Sequence, residues 1–249
     1  MPGRSLDGRT ALVTGGGRRI GAGIVRALHA AGADVVVHYH ASGQDANDLC
    51  GELNATRADS AHAVGQDLLD AARLPKLVAA VLERTGRLDI LVNNASSFYP
   101  TPVGSIDETQ WHDLVGTNLK APLFLSQAAA PALKATRGVI VNLVDIHARR
   151  PLRAHPVYCA AKAGLAALTR SLARELGPDV RVNGIAPGSI LWPEAGLDEK
   201  VAAQIVRETA LKRQGSVEDI GDCVVYLARD AGYVTGEIIA IDGGRSLGW

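Results

Sequence analysis

Three side chains that can hold or move a proton fall between positions 145 and 162. Asp145 closes the apolar run GVIVNLVD, where a carboxylate is costly to bury unless another group pairs with it. Tyr158 and Lys162 are four residues apart, so on a helix they share one face. Taken singly, Asp145 could be a helix cap and Lys162 a solvated charge. Their joint spacing instead favours one site for proton delivery.

A glycine-rich segment, TGGGRRIGAG at 14–23, follows one predicted strand and opens a helix. Glycine lets the backbone approach a pyrophosphate, whose negative charge the N-terminus of a helix favours. A glycine loop also forms tight turns without a ligand, but its place between strand and helix favours a dinucleotide site. Arg19 stands where such loops often have a middle glycine, and its guanidinium could pair with phosphate oxygens. The expected cofactor contacts here are Gly15, Arg18, Arg19 and Ile20.

The end of the second predicted strand indicates which dinucleotide is bound. Enzymes that use NAD place an acid there to hold the ribose hydroxyls. This chain reads HYHAS at 38–42, and Asp34 lies at the opposite end of the strand. The missing acid favours NADPH. Candidate donors to its 2′-phosphate, which could instead be solvated loop residues, are Arg18, His38, Tyr39, His40 and Ser42. Asp67 could reach the adenine amino group, and Asn94, Ala95 and Ser96 could line the nucleotide, although turns would explain each.

Strands and helices alternate along the whole chain. Continuous apolar strands alternating with helices are typical of a parallel sheet covered on both faces. Right-handed crossovers then predict an α/β fold, a single-domain Rossmann-type doubly wound sheet of seven parallel strands over 1–249. The predicted strands lie at 10–17, 34–39, 61–68, 88–96, 138–145, 180–188 and 236–244, and the predicted helices at 20–31, 44–55, 71–84, 109–134 and 158–176.

Composition and charge narrow the possible partners. The 249 residues are 47% apolar, and Lys plus Arg equals Asp plus Glu at 26 each, so the formal net charge is zero. Bulk charge therefore gives no attraction to nucleic acid or to an anionic membrane. No apolar run approaches the roughly 20 residues needed to span a bilayer. Three cysteines without paired spacing, and an N-terminus without a signal-peptide core, favour a cytoplasmic protein with no metal site.

Several of these motifs, in this order, resemble the short-chain dehydrogenase/reductase family over the whole chain. The matching pieces are TGGGRRIG, NNAS, Asn118, the Tyr158-x-x-x-Lys162 pair and APGSI at 186–190. The resemblance implies that Tyr158 donates the proton and that Lys162 binds the ribose and lowers the pKa of Tyr158. It also implies that Asn118 supports a proton relay. The last motif would supply Pro187, Gly188 and Ser189 to the cofactor and Ile190 to the substrate.

One position departs from the family pattern. The family usually has a serine thirteen residues before the tyrosine, where it donates a hydrogen bond to a carbonyl oxygen that gains charge. Asp145 occupies that place here. An ionised Asp145 cannot donate and would repel a developing alkoxide, so it suits a substrate with N–H groups or a ring nitrogen to be protonated.

The pteridine reductase subgroup carries the same departure, and it also resembles this chain in HYHAS and in NASSFYPTP at 94–102. This resemblance implies that Phe98 stacks on a pterin ring opposite the nicotinamide, as a flat heteroaromatic ring favours. It further implies that Ser96 hydrogen-bonds the pterin and that Arg19 bridges pterin and cofactor phosphate. Trp192 could shape the pocket or only pack the loop at 189–200.

The activity these residues predict is NADPH-dependent reduction of a dihydropterin to the tetrahydro form, with Tyr158 and Asp145 delivering the proton. Dihydrobiopterin, dihydromonapterin and dihydrofolate remain open as substrates. The alternatives are a carbonyl reductase, for example of a 3-oxoacyl thioester, and a cofactor-binding protein without turnover. The missing serine argues against the first, and the Tyr158/Lys162 pair argues against the second.

The family resemblance also implies a homotetramer, in which long helices pair across one interface and C-terminal strands across another. Small residues at positions 160, 163, 164 and 167 would let two helices approach closely. Trp249 would be exposed unless it packs on a partner, where it could reach a neighbouring subunit's pocket.

Overall fold

The computed structural model describes residues 5–192 and 196–248, which form a sheet of seven parallel strands in the order β3-β2-β1-β4-β5-β6-β7. Every neighbouring pair of strands is parallel. The strands are β1 (Thr10–Val13), β2 (Asp34–Tyr39), β3 (Ala61–Gly65), β4 (Ile90–Asn93), β5 (Val139–Leu143), β6 (Arg181–Pro187) and β7 (Ile238–Ile241). This confirms the predicted fold class. The contact predicted for Trp249 lies outside the described residues.

Helices cover both faces of the sheet. They are α1 (Arg19–Ala30), α2 (Gly43–Thr56), α3 (Leu74–Thr85), α4 (Glu108–Val115), α5 (Ala121–Thr136), α6 (Pro156–Leu176), α7 (Glu199–Glu208) and α8 (Val217–Arg229). Alternate strand residues face opposite sides of a sheet. Val13 thus packs into the core beneath α1, α2 and α8, whereas Leu12 packs into the core beneath α3, α5 and α6.

The helices differ from the predicted ones in two places. The helix predicted over 109–134 is interrupted by a π-helical segment at Gly116–Lys120, which separates α4 from α5. Such wide turns are common at functional sites, and this one contains the fully buried Asn118. Neither α7 nor α8 was predicted from the sequence. The start of α8 is nevertheless marked by a capping box, in which Ser216 and Asp219 bond each other's backbone N–H.

A buried chain of polar side chains crosses the sheet and ties it to α6. Asn93 and Asn142 are paired in register on β4 and β5, and the Asn93 side chain donates to Asn142 Oδ1 at 2.8 Å. Asn142 Nδ2 then donates to Thr169 Oγ1 at 2.9 Å. Each member is at least 96% buried, so these side chains satisfy one another in the absence of water, and Asn93 has a further, longer bond of 3.3 Å to the Ser126 hydroxyl.

Within 5–192 and 196–248, none of the helices combines the length and the apolar character needed to cross a bilayer.

Asn142→Ala should lower the free energy of unfolding by about 2 kcal/mol, because it removes two buried hydrogen bonds, one to Asn93 and one to Thr169. Urea unfolding measures the effect. The matched control is Asn47→Ala on the exposed face of α2, where the change should stay within about 0.5 kcal/mol. Equal effects for the two variants would contradict a structural role for the buried chain.

Candidate active site

The predicted site residues gather at the carboxyl ends of the strands. The chain runs from β1 outward to β2 on one side, and β4 lies on the other side of β1, so a crevice opens at this switch point. Two adjoining hollows occupy it, one of about 650 Å³ and one of about 160 Å³. Both are lined by Arg19, Ile20, Asn94 and Ser96, which makes them parts of one cleft.

Asp145 holds two hydrogen bonds at the end of β5. Its Oδ1 accepts from the backbone N–H of His147 at 2.8 Å, which caps the short 3₁₀ turn Ile146–Ala148. Its Oδ2 accepts from the Tyr158 hydroxyl at 2.7 Å. The helix-cap role and the site role, which the sequence left as alternatives, are therefore both filled by one carboxylate.

The pKa of Tyr158 is raised well above its ordinary value, chiefly by burial and then by the negative charge of Asp145. The expectation that Lys162 lowers the pKa of Tyr158 concerns a separate contribution to this pKa, and it stays a prediction. A phenol beside a carboxylate keeps its proton through the neutral range. In this state Tyr158 is equipped to give a proton away, not to take one.

Lys162 lies beneath Tyr158 on α6 and is almost fully buried. Its Nζ donates to the Leu143 carbonyl at 2.8 Å and stands 5.7 Å from the centre of the Tyr158 ring. Burial lowers the pKa of Lys162 to about 8, while the charge of Asp145 acts in the opposite direction. Lys162 is therefore a buried ammonium of the site, and the alternative of a solvated helix charge does not describe it.

Asn118 and Ser96 extend the polar cluster away from Asp145. The Ser96 hydroxyl donates to Asn118 Oδ1 at 2.7 Å, and it also lowers the pKa of Tyr158, although less than the other groups raise it. The Asn118 amide donates to the carbonyls of Ser97 and Leu114, each at 2.9 Å. The π-helical segment thus orients Asn118 so that its oxygen faces the site.

The glycine loop is built from contacts that the sequence indicates only in part. Thr14 Oγ1 accepts from the backbone N–H groups of Asn94 and Ala95 at 2.9 and 3.0 Å. Asn94 Nδ2 donates back to the carbonyls of Thr14 and Gly15. Gly15 has a positive φ of 59°, and a Cβ there would lie 3.1 Å from the Cα of Ala95. A larger residue at position 15 is therefore disfavoured both by the backbone conformation and by the lack of space for a side chain.

His38 supports the glycine loop through both ring nitrogens, and it also lines the larger hollow. Its Nδ1 accepts from the Gly15 N–H at 3.2 Å, and its Nε2 bonds the Gln66 carbonyl at 2.9 Å. Only the neutral ring with its proton on Nε2 satisfies both partners. Burial lowers the pKa of His38 to about 4, against the weaker opposing effect of the Gln66 bond. His38 is thus a support for the loop, and its contact with a cofactor phosphate stays a prediction.

Three of the other predicted phosphate donors line the larger hollow, and the fourth, Tyr39, does not. Arg18, His40 and Ser42 border it, and Arg18 lies 3.9 Å from Asp45 in the first turn of α2. Tyr39 packs its ring against Gly43 and Gly65, where added Cβ atoms would come within 3.0 Å of it. Tyr39 therefore shapes the wall behind the hollow.

The remaining residues predicted to contact the cofactor or substrate line three different hollows. Asp67 lines the larger one and accepts from the Leu69 N–H at 2.9 Å. Pro187 and Gly188 line the smaller one. Ser189 lines a separate cavity of about 400 Å³, and the buried Ile190 forms the wall between that cavity and the site.

Of the predicted substrate contacts, Arg19 lines both hollows, whereas Phe98 and Trp192 line neither. The side chain of Phe98 is 53% exposed, and its ring meets Tyr158 edge-on with 4.8 Å between centroids. Arg19 has a positive φ of 52°, and its Nη2 donates to the Trp192 carbonyl at 3.0 Å. The backbone of Trp192, and not its indole, thus makes this bond to the glycine loop.

The larger hollow fits the phosphates of a nicotinamide dinucleotide. Arg19, Ile20 and Gly21, the first three residues of α1, line it, and the first N–H groups of a helix have no partner within the helix. The first turn of α1 has no acidic residue to oppose an anion, and Arg18 adds a positive charge at its start. The donors and their charge suit a bound pyrophosphate.

Several residues of the site were not predicted from the sequence. The sequence pattern does not mark Thr14, Asp113 or Thr117 as site residues, although Thr14 opens the glycine motif and the other two line the larger hollow. Asp113 accepts from the Ser97 hydroxyl at 3.0 Å. Burial, with Asp113 beside it, also raises the pKa of Tyr99 to about 12. No signal in the spacing marked Asp113, because the contact depends on how α4 packs.

The neutral state of His38 predicts a loss of stability in mild acid. The folded pKa of about 4 lies below the ordinary value of 6.5, so the unfolded chain binds more protons between these limits. Stability from His38 is present above pH 6.5 and falls as the pH drops toward 4, by about 3 kcal/mol in all. Unfolding of wild type and of the non-titrating His38→Gln should diverge in this window. Parallel pH profiles would contradict the assignment.

Comparison with known proteins places the chain in a family. Residues 16–246 match the family model described as enoyl-(acyl carrier protein) reductase. Pteridine reductase 1 of Leishmania tarentolae is 39% identical, with 95% of this chain and 96% of that protein aligned. The 3-oxoacyl-(acyl-carrier-protein) reductase FabG of Staphylococcus aureus (strain Mu50) is 35% identical over 96% of this chain and 98% of its own length. A putative ketoacyl reductase of the granaticin polyketide synthase of Streptomyces violaceoruber is 34% identical over 95% and 96%. The chain therefore belongs to the short-chain dehydrogenase/reductase family, whose members are oxidoreductases that use a nicotinamide cofactor.

Proposed function

We propose that this reductase uses NADPH to convert a dihydropterin into the tetrahydropterin. The observation that carries the proposal is the Asp145 carboxylate, 2.7 Å from the hydroxyl of the proton donor Tyr158. The identity to a pteridine reductase over almost the whole chain supports the same substrate class. Dihydrobiopterin, dihydromonapterin and dihydrofolate all contain the ring that the site would recognise.

The position of Asp145 opposes reduction of a simple carbonyl. A carbonyl that accepts a hydride gains negative charge on its oxygen, and that oxygen must approach Tyr158. Two unit negative charges about 4 Å apart repel by about 4 kcal/mol at an effective dielectric constant of 20. That repulsion corresponds to a rate loss of about a thousandfold. A ring nitrogen gains its proton without leaving an oxyanion, so the same carboxylate does not oppose it.

Tyr158 and Asp145 would deliver the proton together. A nicotinamide bound in the cleft would be the source of the hydride, which a carbon of the pterin ring would accept. Tyr158 keeps its proton in the neutral range, since its pKa is raised, and it would donate this proton to the adjacent ring nitrogen. Asp145 is only half-buried and can exchange protons with solvent, so it would return a proton to Tyr158. The second oxygen of Asp145 remains bonded to His147, which holds the carboxylate in position during the transfer.

The supporting polar residues would orient the donor and the substrate. Lys162 places an ammonium next to the Tyr158 ring and would contact the cofactor ribose. Asn118 holds the Ser96 hydroxyl, which would bond the polar edge of the pterin. Phe98 offers a half-exposed aromatic surface beside Tyr158, on which a flat heteroaromatic ring gains from stacking.

The end of β2 supports NADPH over NADH. His40, Ala41 and Ser42 follow the strand, and none of these three described residues carries a carboxylate that could hold a free ribose 2′-hydroxyl. Arg18 and His40 line the hollow where a 2′-phosphate would lie, and Arg18 would bring a positive charge to it. Asp45 is held near Arg18, at 3.9 Å, and would share that charge.

A second candidate is reduction of a 3-oxoacyl thioester. Two relatives at 34 and 35% identity are named as ketoacyl reductases, and the matching family model is described as an enoyl reductase. Asp145 argues against this candidate, since the carboxylate would repel the developing oxyanion. A cofactor-binding protein without turnover is opposed by the intact Tyr158, Lys162 and Asp145 cluster.

The decisive assay mixes the purified protein with NADPH and follows its oxidation by near-ultraviolet absorbance. Dihydrobiopterin, dihydrofolate and an acetoacetyl thioester are supplied separately, and NADH replaces NADPH in a parallel series. We expect turnover with a dihydropterin, at least about a hundredfold less with the thioester, and a clear preference for NADPH. Turnover with the thioester alone would refute the substrate class.

Protein variants measured in the same assay test the roles of Asp145 and Tyr158. Asp145→Ser should lower kcat/KM for the dihydropterin by about a hundredfold or more, the range of general acid–base effects. It should raise the small thioester rate, because a hydroxyl can donate to the oxyanion. Tyr158→Phe should abolish turnover while leaving NADPH binding intact. The matched controls are Asp48→Ser on exposed α2 and Tyr233→Phe, a fully exposed tyrosine, and both should behave as wild type.

We further propose that the protein forms a homotetramer. Trp111 on α4 and Leu123 and Phe124 on α5 are 49, 36 and 38% exposed, which is unusual for such large apolar groups on neighbouring helices. The outer strand β7 pairs only with β6 in the described sheet, which leaves one edge for a second copy.

Sedimentation should therefore give four times the chain mass of 26.0 kDa. Phe124→Asp should reduce that mass, because it places a charge in the helix interface. A monomeric wild type would contradict the assembly.

A further inference from the structure

Phe98 sits in a ring cluster that is not evident from the sequence. One face of its ring is stacked on the imidazole of His155, with 4.8 Å between centroids and 13° between planes. The same ring meets Tyr158 at 77°, also at 4.8 Å. Phe98 is 53% exposed, so burial in the core does not fix its orientation. The two ring contacts must do so.

His155 is itself held rigidly. It stands immediately before the first residue of α6, and its carbonyl accepts from the Cys159 N–H at 3.0 Å. Its Nδ1 lies 2.8 Å from the Arg153 carbonyl, which can only accept, so the ring proton is on Nδ1 and the plane of the imidazole is set. Tyr158 follows three residues later, on the same side of the helix.

The backbone of the Phe98 loop is fixed to the same turn. The Thr101 N–H donates to the Ala154 carbonyl at 2.6 Å, and Thr101 is fully buried. Ala154 has a positive φ of 61°, which turns its carbonyl toward that loop. The start of α6 therefore fixes both the backbone and the ring of the Phe98 loop, and it carries the proton donor as well.

We propose that His155 is a positioning residue that sets the plane of Phe98 relative to the Tyr158 hydroxyl, and thereby the affinity for a flat aromatic substrate. The inference rests on the proposed function, because it assigns the stacked ring to the substrate of that site. His155 covers one face of Phe98, so the substrate meets a ring whose tilt is already fixed. A pre-oriented surface binds more tightly, since less side-chain freedom is lost on binding.

The kinetic signature of this role is an effect on KM without an effect on kcat. His155→Ala frees Phe98 to rotate but leaves the Tyr158–Asp145 bond and Lys162 in place. KM for a dihydropterin should therefore rise about three- to tenfold, as expected from loss of one aromatic pair, while kcat stays within about twofold. His155→Phe restores an aromatic face and should restore KM. The matched control, His112→Ala on the exposed side of α4, should leave both constants unchanged.

A change in kcat equal to the change in KM, or no rescue by His155→Phe, would overturn the proposal. Either result would mean that position 155 acts through the fold of α6 and not through its ring.

The stack is also tested without any substrate. The proton resonances of the His155 imidazole should lie upfield of their ordinary positions, because they stand over the Phe98 ring. In Phe98→Leu the His155 resonances should move back to their ordinary positions, because the aromatic ring is gone. If the wild-type protein does not turn over a dihydropterin, the proposed function fails and this measurement decides the inference alone. Upfield resonances that return in Phe98→Leu would support the positioning role, and ordinary shifts in the wild type would refute it.

Discussion

The hydrogen bond between Asp145 and Tyr158 is the constraint on which the rest of the site depends. A half-buried carboxylate is stable only where donors surround it, and here the donors are a phenol and the N–H of His147. The first donor requires α6 to begin where Tyr158 can reach the end of β5. The second requires the chain to turn directly after Asp145. Burial and then the neighbouring Asp145 carboxylate raise the pKa of Tyr158, so the hydroxyl keeps its proton in the neutral range.

Other elements of the fold serve this arrangement from different sides. The π-helical segment aims Asn118 at Ser96, and the buried chain from Asn93 through Asn142 to Thr169 ties α6 to the sheet. On the cofactor side, Thr14, Asn94 and His38 hold the glycine loop by its backbone. Apart from Ser96, none of these residues needs to touch a substrate. Each limits the freedom of a group that would, which is how a scaffold pre-organises its chemistry.

A carboxylate in place of a hydroxyl changes which reactions this scaffold favours. A serine at position 145 would donate to an oxyanion, whereas Asp145 can only accept while ionised. The proposed discrimination between dihydropterins and carbonyl substrates therefore depends chiefly on the sign of one interaction. Phe98 adds selectivity of a different kind, for shape and aromatic character, and its orientation depends on the turn at the start of α6.

Much of this protein was determined by the sequence alone. Alternating apolar runs and helices predicted seven parallel strands, since period and spacing are local properties that the chain itself displays. The joint spacing of Asp145, Tyr158 and Lys162 predicted a single cluster for the same reason. The division of the 109–134 helix was not predictable in this way, because the π-helical turn accompanies hydrogen bonds that Asn118 makes to residues distant in the chain, Ser96 and Ser97. The start of the amphipathic helix α8, by contrast, is marked in the sequence by the capping-box residues Ser216 and Asp219.

Only the tertiary structure decided the direction of the Tyr158 pKa shift, the support that His38 gives to the glycine loop and the stacking of His155 on Phe98. Each results from burial or from contact between residues far apart in the chain, or from where a turn points a side chain. The sequence shows which groups are present. Only the fold shows which of them lose water and which partner each one meets, and desolvation and partner choice are what set a pKa or fix a ring.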